Sequence, residues 1–128
     1  MTANAPDRDA IAKTIQKYID GIAQHKTDLI VEAFHPQAIM SGYFGPQFSI
    51  SPAADSIVGY MNSITPISES SPDFAGRILS IEQCDTMATA VIAEDRLEGM
   101  NFTTYFHLHK VDGKWLITSK ATHGTPVS

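Results

Sequence analysis

Apolar residues recur at helical spacing in the first part of the chain and at strand-like spacing in the second. From Asp9 to Gln24 they fall at Ile11, Ile15, Tyr18, Ile19 and Ile22. Steps of three and four put these side chains on one face of an amphipathic helix. Asp7 or Asp9 can cap its start. Gly21 lies inside it and costs roughly 1 kcal/mol against alanine, which points to a close neighbour. His25, Lys26 and Thr27 break the pattern, and Thr27 or Asp28 caps a second helix carrying Leu29, Ile30, Ala33 and Phe34. Pro36 stops it. Short strands are expected at Ala38–Ser41 and Phe48–Ser51, around a bend at Gly42, Gly45 and Pro46. A third helix is expected over Ala53–Ser63, with Pro52 near its first turn. Residues 65–73 read as a loop. Four longer strands follow at Ala75–Cys84, Thr86–Leu97, Met100–Val111 and Lys114–Thr122. Asp85, Glu98-Gly99 and Asp112-Gly113 turn the chain between them, the last being a strong hairpin signal.

Helices first and an antiparallel meander afterwards predict the α+β class. A curved sheet with helices across its concave side encloses a core and leaves a mouth, a common place for a ligand. The length of 128 residues predicts one domain over 1–128, with an ordered core at about 8–124.

Charge narrows the function. The net charge is −5, and the nine Lys and Arg residues form no run. That excludes the basic stripe of a nucleic-acid binder and the polybasic segment of a membrane anchor. No apolar run approaches the ~20 residues of a membrane span, and the N-terminus lacks a secretory apolar stretch. With a single cysteine, Cys84, a reducing, cytoplasmic setting is expected. Cys84 itself reads as a buried small hydrophobe. The chain has no Gly-rich phosphate loop, nucleophile elbow or zinc spacing. Nucleotide-dependent and serine-hydrolase readings are set aside, and no cofactor is expected.

Three strings carry a family resemblance: YIDG at 18–21, AFHPQAIMSGYFG at 33–45 and YFHLHKVDGKWLITSK at 105–120. They resemble the putative lumazine-binding family. That family lies within the nuclear transport factor 2-like superfamily, with ketosteroid isomerase, scytalone dehydratase and the SnoaL-like polyketide cyclases. The resemblance runs over roughly 8–124. It implies a cone-shaped barrel of three N-terminal helices packed on a curved, mainly antiparallel mixed sheet, and a homodimer through the outer sheet face. Against ketosteroid isomerase, Tyr18 stands at the oxyanion-hole tyrosine. Gly42 stands where the general-base aspartate would be, and glycine takes no proton. Thr104 corresponds to the second oxyanion donor. One role of three survives, which argues against steroid isomerisation.

The resemblance also orients the strands. If Thr104 faces the pocket, Phe102, Phe106 and Leu108 face it too. Thr103, Tyr105, His107 and His109 then lie on the outer face, the expected dimer surface. His107 and His109 supply two metal ligands where three or more must converge. Cys84, Asp85 or His123 would have to complete the set, so no metal is expected. Folding the hairpin at Glu98-Gly99 sets Asp95 beside Phe102 and aims it at Tyr18 and Tyr60. There it would serve as general acid or base. Alternatively Asp95 is solvated at the mouth or pairs with Arg77, Arg96 or Lys120. A slip of one residue would turn Asp95 outward and put Glu94 and Arg96 inside. Ligand contacts are expected at Tyr18, Phe34, Tyr43, Tyr60, Phe102, Thr104 and Lys120, with core filling as the alternative for the tyrosines and solvent exposure for Lys120.

The leading functional expectation is a small-molecule pocket protein for a compact aromatic or polyketide-like ligand. The alternative is an isomerase, cyclase or dehydratase with Asp95 as acid or base and Tyr18 as oxyanion donor. A dimeric scaffold with a vestigial pocket is the third. Gly42 weakens the enzyme reading relative to the binder.

Overall fold

The structure, a computed structural model, describes residues 4–128, and their side chains from residue 7 onward. Helices α1 (Asn4–Ala23) and α2 (Thr27–Ala33) come first. Strands β1 (Phe34–Phe44) and β2 (Gln47–Pro52) form a hairpin, followed by α3 (Ala53–Asn62) and the single turn α4 (Ile67–Ser70). The meander is β3 (Ala75–Cys84), β4 (Met87–Leu97), β5 (Met100–Val111) and β6 (Lys114–Pro126). The class is α+β, as expected. Two details differ: only α1 and α2 precede the sheet, and α4 forms within the segment read as a loop. Asp7 lies in the first turn of α1 rather than at its cap, and its carboxylate accepts from Gln83 at 2.7 Å.

All six strands join one mixed sheet in the order β2-β1-β6-β5-β4-β3. The pairing of β1 with β6 is parallel and the others are antiparallel. The α1 stripe Ile11, Ile15, Tyr18, Ile19 and Ile22 is buried against the inner face with Ile92, Phe106, Leu108 and Ile117. At Gly21 a Cβ would lie 2.9 Å from Ile30 Cδ1, so α2 crosses α1 where the side chain is missing. Strand β1 runs beyond the expected four residues because both its edges are paired, to β2 and to β6. Cys84 is exposed at the end of β3 rather than buried. No described helix is long and apolar enough to cross a membrane.

Two irregularities decide which side chains reach the inside. Along β4, the alternate residues Ala88, Ala90, Ile92 and Glu94 are buried and share the inner face, with Ala93 also covered. The ladder to β5 then steps from Glu94↔Phe102 to Leu97↔Met100. Two residues of β4, Asp95 and Arg96, therefore oppose Asn101 alone, which is a β-bulge. Arg96 takes φ +57°, and its backbone N–H donates to Asn101 Oδ1 at 2.9 Å. The second shift lies in β6, between the pairs Leu108↔Ile117 and His107↔Ser119. Trp115 and Ile117 are buried before it, and Lys120, Thr122 and Gly124 after it. Without that shift, strand alternation would turn Lys120 outward.

Gly42 has a packing role here. It has φ +154°, and a Cβ there would overlap the Thr122 carbonyl oxygen across the parallel β1–β6 pair. Gly42→Ala is therefore expected to lower stability by about 2 kcal/mol or more. Gly59 is the control: it lies inside α3 with open space around it. Gly59→Ala should raise stability by about 0.5–1 kcal/mol. Urea unfolding of the two variants beside the parent checks both signs.

Candidate functional site

Between the inner face of the sheet and helices α1, α3 and α4 lies a cavity of about 620 Å³. That size suits a compact ligand. Its walls are mainly apolar, with Met40 and Phe44 from β1, Ile57 and Met61 from α3, Leu97 from β4 and Phe102 from β5. Phe44 and Phe102 meet edge to face, with ring centres 6.0 Å apart. Ser49, Ser51 and Ser56 line one side. At the mouth, the Glu98 carboxylate accepts from Tyr60 Oη at 3.4 Å and Ser71 Oγ at 3.2 Å, tying the β4–β5 turn to α3 and the end of α4.

Three polar groups reach the cavity from its deep end: Tyr18, Glu94 and Lys120. Glu94 is 1% exposed. Tyr18 Oη donates to its Oε2 at 2.9 Å, and Thr104 Oγ1 donates to its Oε1 at 2.8 Å. Thr122 Oγ1 lies 2.8 Å from Thr104 Oγ1. Because the single Thr104 proton goes to Glu94, Thr122 donates in that contact. The result is a relay from Thr122 through Thr104 to one oxygen of Glu94, with Tyr18 on the other. Strand alternation places the members: Glu94↔Phe102 and Thr104↔Thr122 are cross-strand partners on the inner face.

Lys120 is buried beside these groups, with its Nζ 5.7 Å from the centre of the Tyr18 ring. Burial lowers its pKa from 10.5, and the charge of Glu94 offsets part of that. The Tyr18 hydroxyl moves the other way. Burial first, and then the charge and hydrogen bond of Glu94, push it well above its ordinary 10.0. Tyr18 therefore keeps its proton and remains a donor. Its ring is held by edge contacts with Phe34 at 5.9 Å and Phe106 at 5.2 Å.

The expected site residues divide accordingly. Tyr18, Tyr60, Phe102 and Lys120 line the cavity. Thr104 stands behind Glu94, and Phe34 behind Tyr18. Tyr43 turns to the outer face, 48% exposed, against Phe48 and His123. Asp95 does not enter the cavity. It pairs with Arg77 at 3.0 Å outside the core, because the bulge absorbs the residue that a regular hairpin would have turned inward. Glu94 occupies the inside instead, while Arg96 stays outside and donates to the Asp73 carbonyl. The alternation Ala88, Ala90, Ile92 already pointed to Glu94. Counting back from the Glu98-Gly99 turn missed it. The proton of Tyr18 is committed to Glu94, so an oxyanion-donor role for Tyr18 would require breaking that bond. Tyr105, His107 and His109 lie exposed on the outer face; the two histidines bond to Ser119 and Thr118.

Residues 6–123 match the putative lumazine-binding family. The chain belongs to that family. An aldolase, FrzH, of Cladobotryum sp is 24% identical over 123 residues, covering 92% of this chain and 91% of the relative. A nuclear transport factor 2-like protein of unknown function from Shewanella baltica has a solved structure that superposes with a TM-score of 0.86 at 28% identity, covering 99% of this chain and all of that one. Another from Methylobacillus flagellatus gives 0.86 at 25% identity, covering 97% and 96%. A ketosteroid isomerase-like protein from Erwinia carotovora atroseptica, 14% identical with a TM-score of 0.70 over 93% of this chain and 96% of that one, shares the fold.

Replacing Tyr18 by phenylalanine strips one donor from a buried carboxylate. Tyr18→Phe should cost about 1–3 kcal/mol at neutral pH. It should also alter the alkaline limb. Above about 10 the folded protein holds the Tyr18 proton that the unfolded chain has released, so it binds more protons and stability falls as pH rises. Lys120, with its lowered pKa, contributes the opposite slope below about 10.5 in both proteins. Chemical denaturation from pH 7 to 11 should show a stability gap between parent and variant that narrows as the pH climbs.

Proposed function

We propose that the cavity binds a compact, largely apolar carbonyl compound and moves a proton at the carbon beside the carbonyl. The observation that carries this reading is Glu94: a carboxylate at the deep end of an apolar cavity, oriented by two donors. A carboxylate fixed by hydrogen bonds to both oxygens is an oriented acid–base group. Lys120 is the group that engages the carbonyl. Tyr18, Thr104 and Thr122 hold Glu94 in place, and Phe44, Met61 and Phe102 enclose the substrate body. The roles first expected of Asp95 and Tyr18 pass to Glu94 and Lys120. The reading agrees with the aldolase relative, since aldol chemistry begins with loss of a proton next to a carbonyl. Binding without catalysis is the second reading, favoured by the predominance of apolar wall.

Exchange of the α-protons of phenylacetone in deuterated buffer, followed by proton NMR, separates the two. The parent protein should accelerate exchange over buffer, and Glu94→Gln should reduce the acceleration about 100-fold or more. Asp95→Asn should leave it unchanged. Ligand-induced shifts without exchange would establish the binder; loss of exchange in Asp95→Asn would overturn the assignment to Glu94.

The same proposal includes a homodimer through the outer sheet face. Met87, Tyr105 and Leu79 are exposed there, and Met87 pairs with His109 across β4 and β5. Light scattering should give twice the chain mass of 13.9 kDa, and Tyr105→Asp should halve it.

A further inference from the structure

Lysine is seldom buried without a partner, because its ammonium loses hydration that only an opposing charge or acceptors can replace. Lys120 is 6% exposed and projects from the middle of β6, between its cross-strand neighbours Met40 and Phe106. Among the described residues its Nζ has no hydrogen bond and no salt bridge; it lies over the Tyr18 ring, and Glu94 supplies the opposing charge nearby. Lys13, Lys26, Lys110 and Lys114 are exposed, and Lys17 pairs with Glu32 at 3.5 Å. A strand irregularity turns Lys120 inward, to the wall of the cavity that also holds Glu94.

We propose that Lys120 is a nucleophile: its amine condenses with the carbonyl carbon of a compact aldehyde or ketone in the cavity, forming an imine. This rests on the reading of the cavity as a carbonyl site and adds a covalent step to it. The Nζ lone pair forms the new C–N bond as the carbonyl π electrons move to oxygen. The nitrogen then gives up its two hydrogens as protons: one neutralises the alkoxide, Glu94 carries the other to the resulting hydroxyl, and the oxygen leaves as water while the nitrogen lone pair completes the C=N bond. No oxidant or reductant is consumed, and water returning to the carbon reverses the step. The imine, once protonated on nitrogen, draws electrons from the adjacent C–H bond, which is the bond Glu94 is placed to open. Burial favours the unprotonated amine, the form that attacks. An apolar wall also excludes the bulk water that would hydrolyse the adduct.

Acetylacetone is the probe. It condenses with a free amine to a conjugated enaminone that absorbs in the near ultraviolet and adds the mass of the diketone less one water. The full-length parent at neutral pH should gain one adduct, mapped by peptide mass to Lys120 and formed at least tenfold faster than at any other lysine. Lys120→Met, which keeps an apolar chain of similar length, and Lys120→Arg, which keeps a cation that forms no imine, should both lack it while retaining the parent circular dichroism. Absence of the chromophore in the parent, or an adduct that persists in either variant, overturns the proposal. Phenylacetone exchange separates this from the underlying reading. Exchange that survives Lys120→Met but is lost in Glu94→Gln removes the imine and keeps the acid–base site. An adduct on Lys120 in a protein that exchanges no proton keeps the nucleophile and removes the proton transfer.

Discussion

Burying the Glu94 carboxylate is the constraint to which the rest of the inner face is fitted. A charged group taken out of water costs several kcal/mol unless neighbours replace its hydration. Here Tyr18 and Thr104 each donate to one oxygen, and Thr122 in turn donates to Thr104. Hydrogen bonds to a charged group contribute about 1.5–3 kcal/mol each. Those contributions depend on helix α1 presenting Tyr18 to the one strand position where a carboxylate faces it. An apolar residue at position 94 would fill the cavity end without any of these hydrogen bonds.

The backbone is shaped around the same groups. The bulge at Asp95 and Arg96 separates the register of β4 from that of its turn, so that Glu94 can face inward while Leu97 still pairs with Met100. Asn101 satisfies the Arg96 N–H within the bulge. The shift in β6 performs a similar service for Lys120. Gly42 lets β1 approach β6 closely enough to bring Met40 beside Lys120. Position 42, which the resemblance to ketosteroid isomerase aligns with a base, is thus used here for packing, and the buried carboxylate of the inner face stands on β4.

Much of this was legible in the sequence. The α1 stripe, the three turns of the meander and the α+β order follow from apolar spacing and from the turn signals Asp85, Glu98-Gly99 and Asp112-Gly113, whose first residues take positive φ. The outward set of Tyr105, His107 and His109 follows from alternation along β5 once the resemblance sets Thr104 inward. The site was legible only in part, because strand parity survives no uncounted bulge. Asp95 looked inward when registered from the nearest turn, and one extra residue reversed it. Tyr43 departs from expectation for a different reason: an aromatic ring with a polar tip serves an outer face as well as a pocket, and parity along β1 assigns it outward with Ile39. Cys84 sits at a strand end where burial depends on what the turn covers, which local sequence does not encode.

Whether Glu94 is the carboxylate that meets the ligand can be read by carbon-13 NMR of the glutamate side-chain carboxyls as the protein is saturated with 4-nitrophenol, a planar mimic of an enolate. The Glu94 resonance should move as its hydrogen-bond partners adjust, while Glu32, Glu69 and Glu82, away from the cavity, hold still. A Glu94 resonance that does not respond, with changes confined to Glu98 at the mouth, would contradict that role.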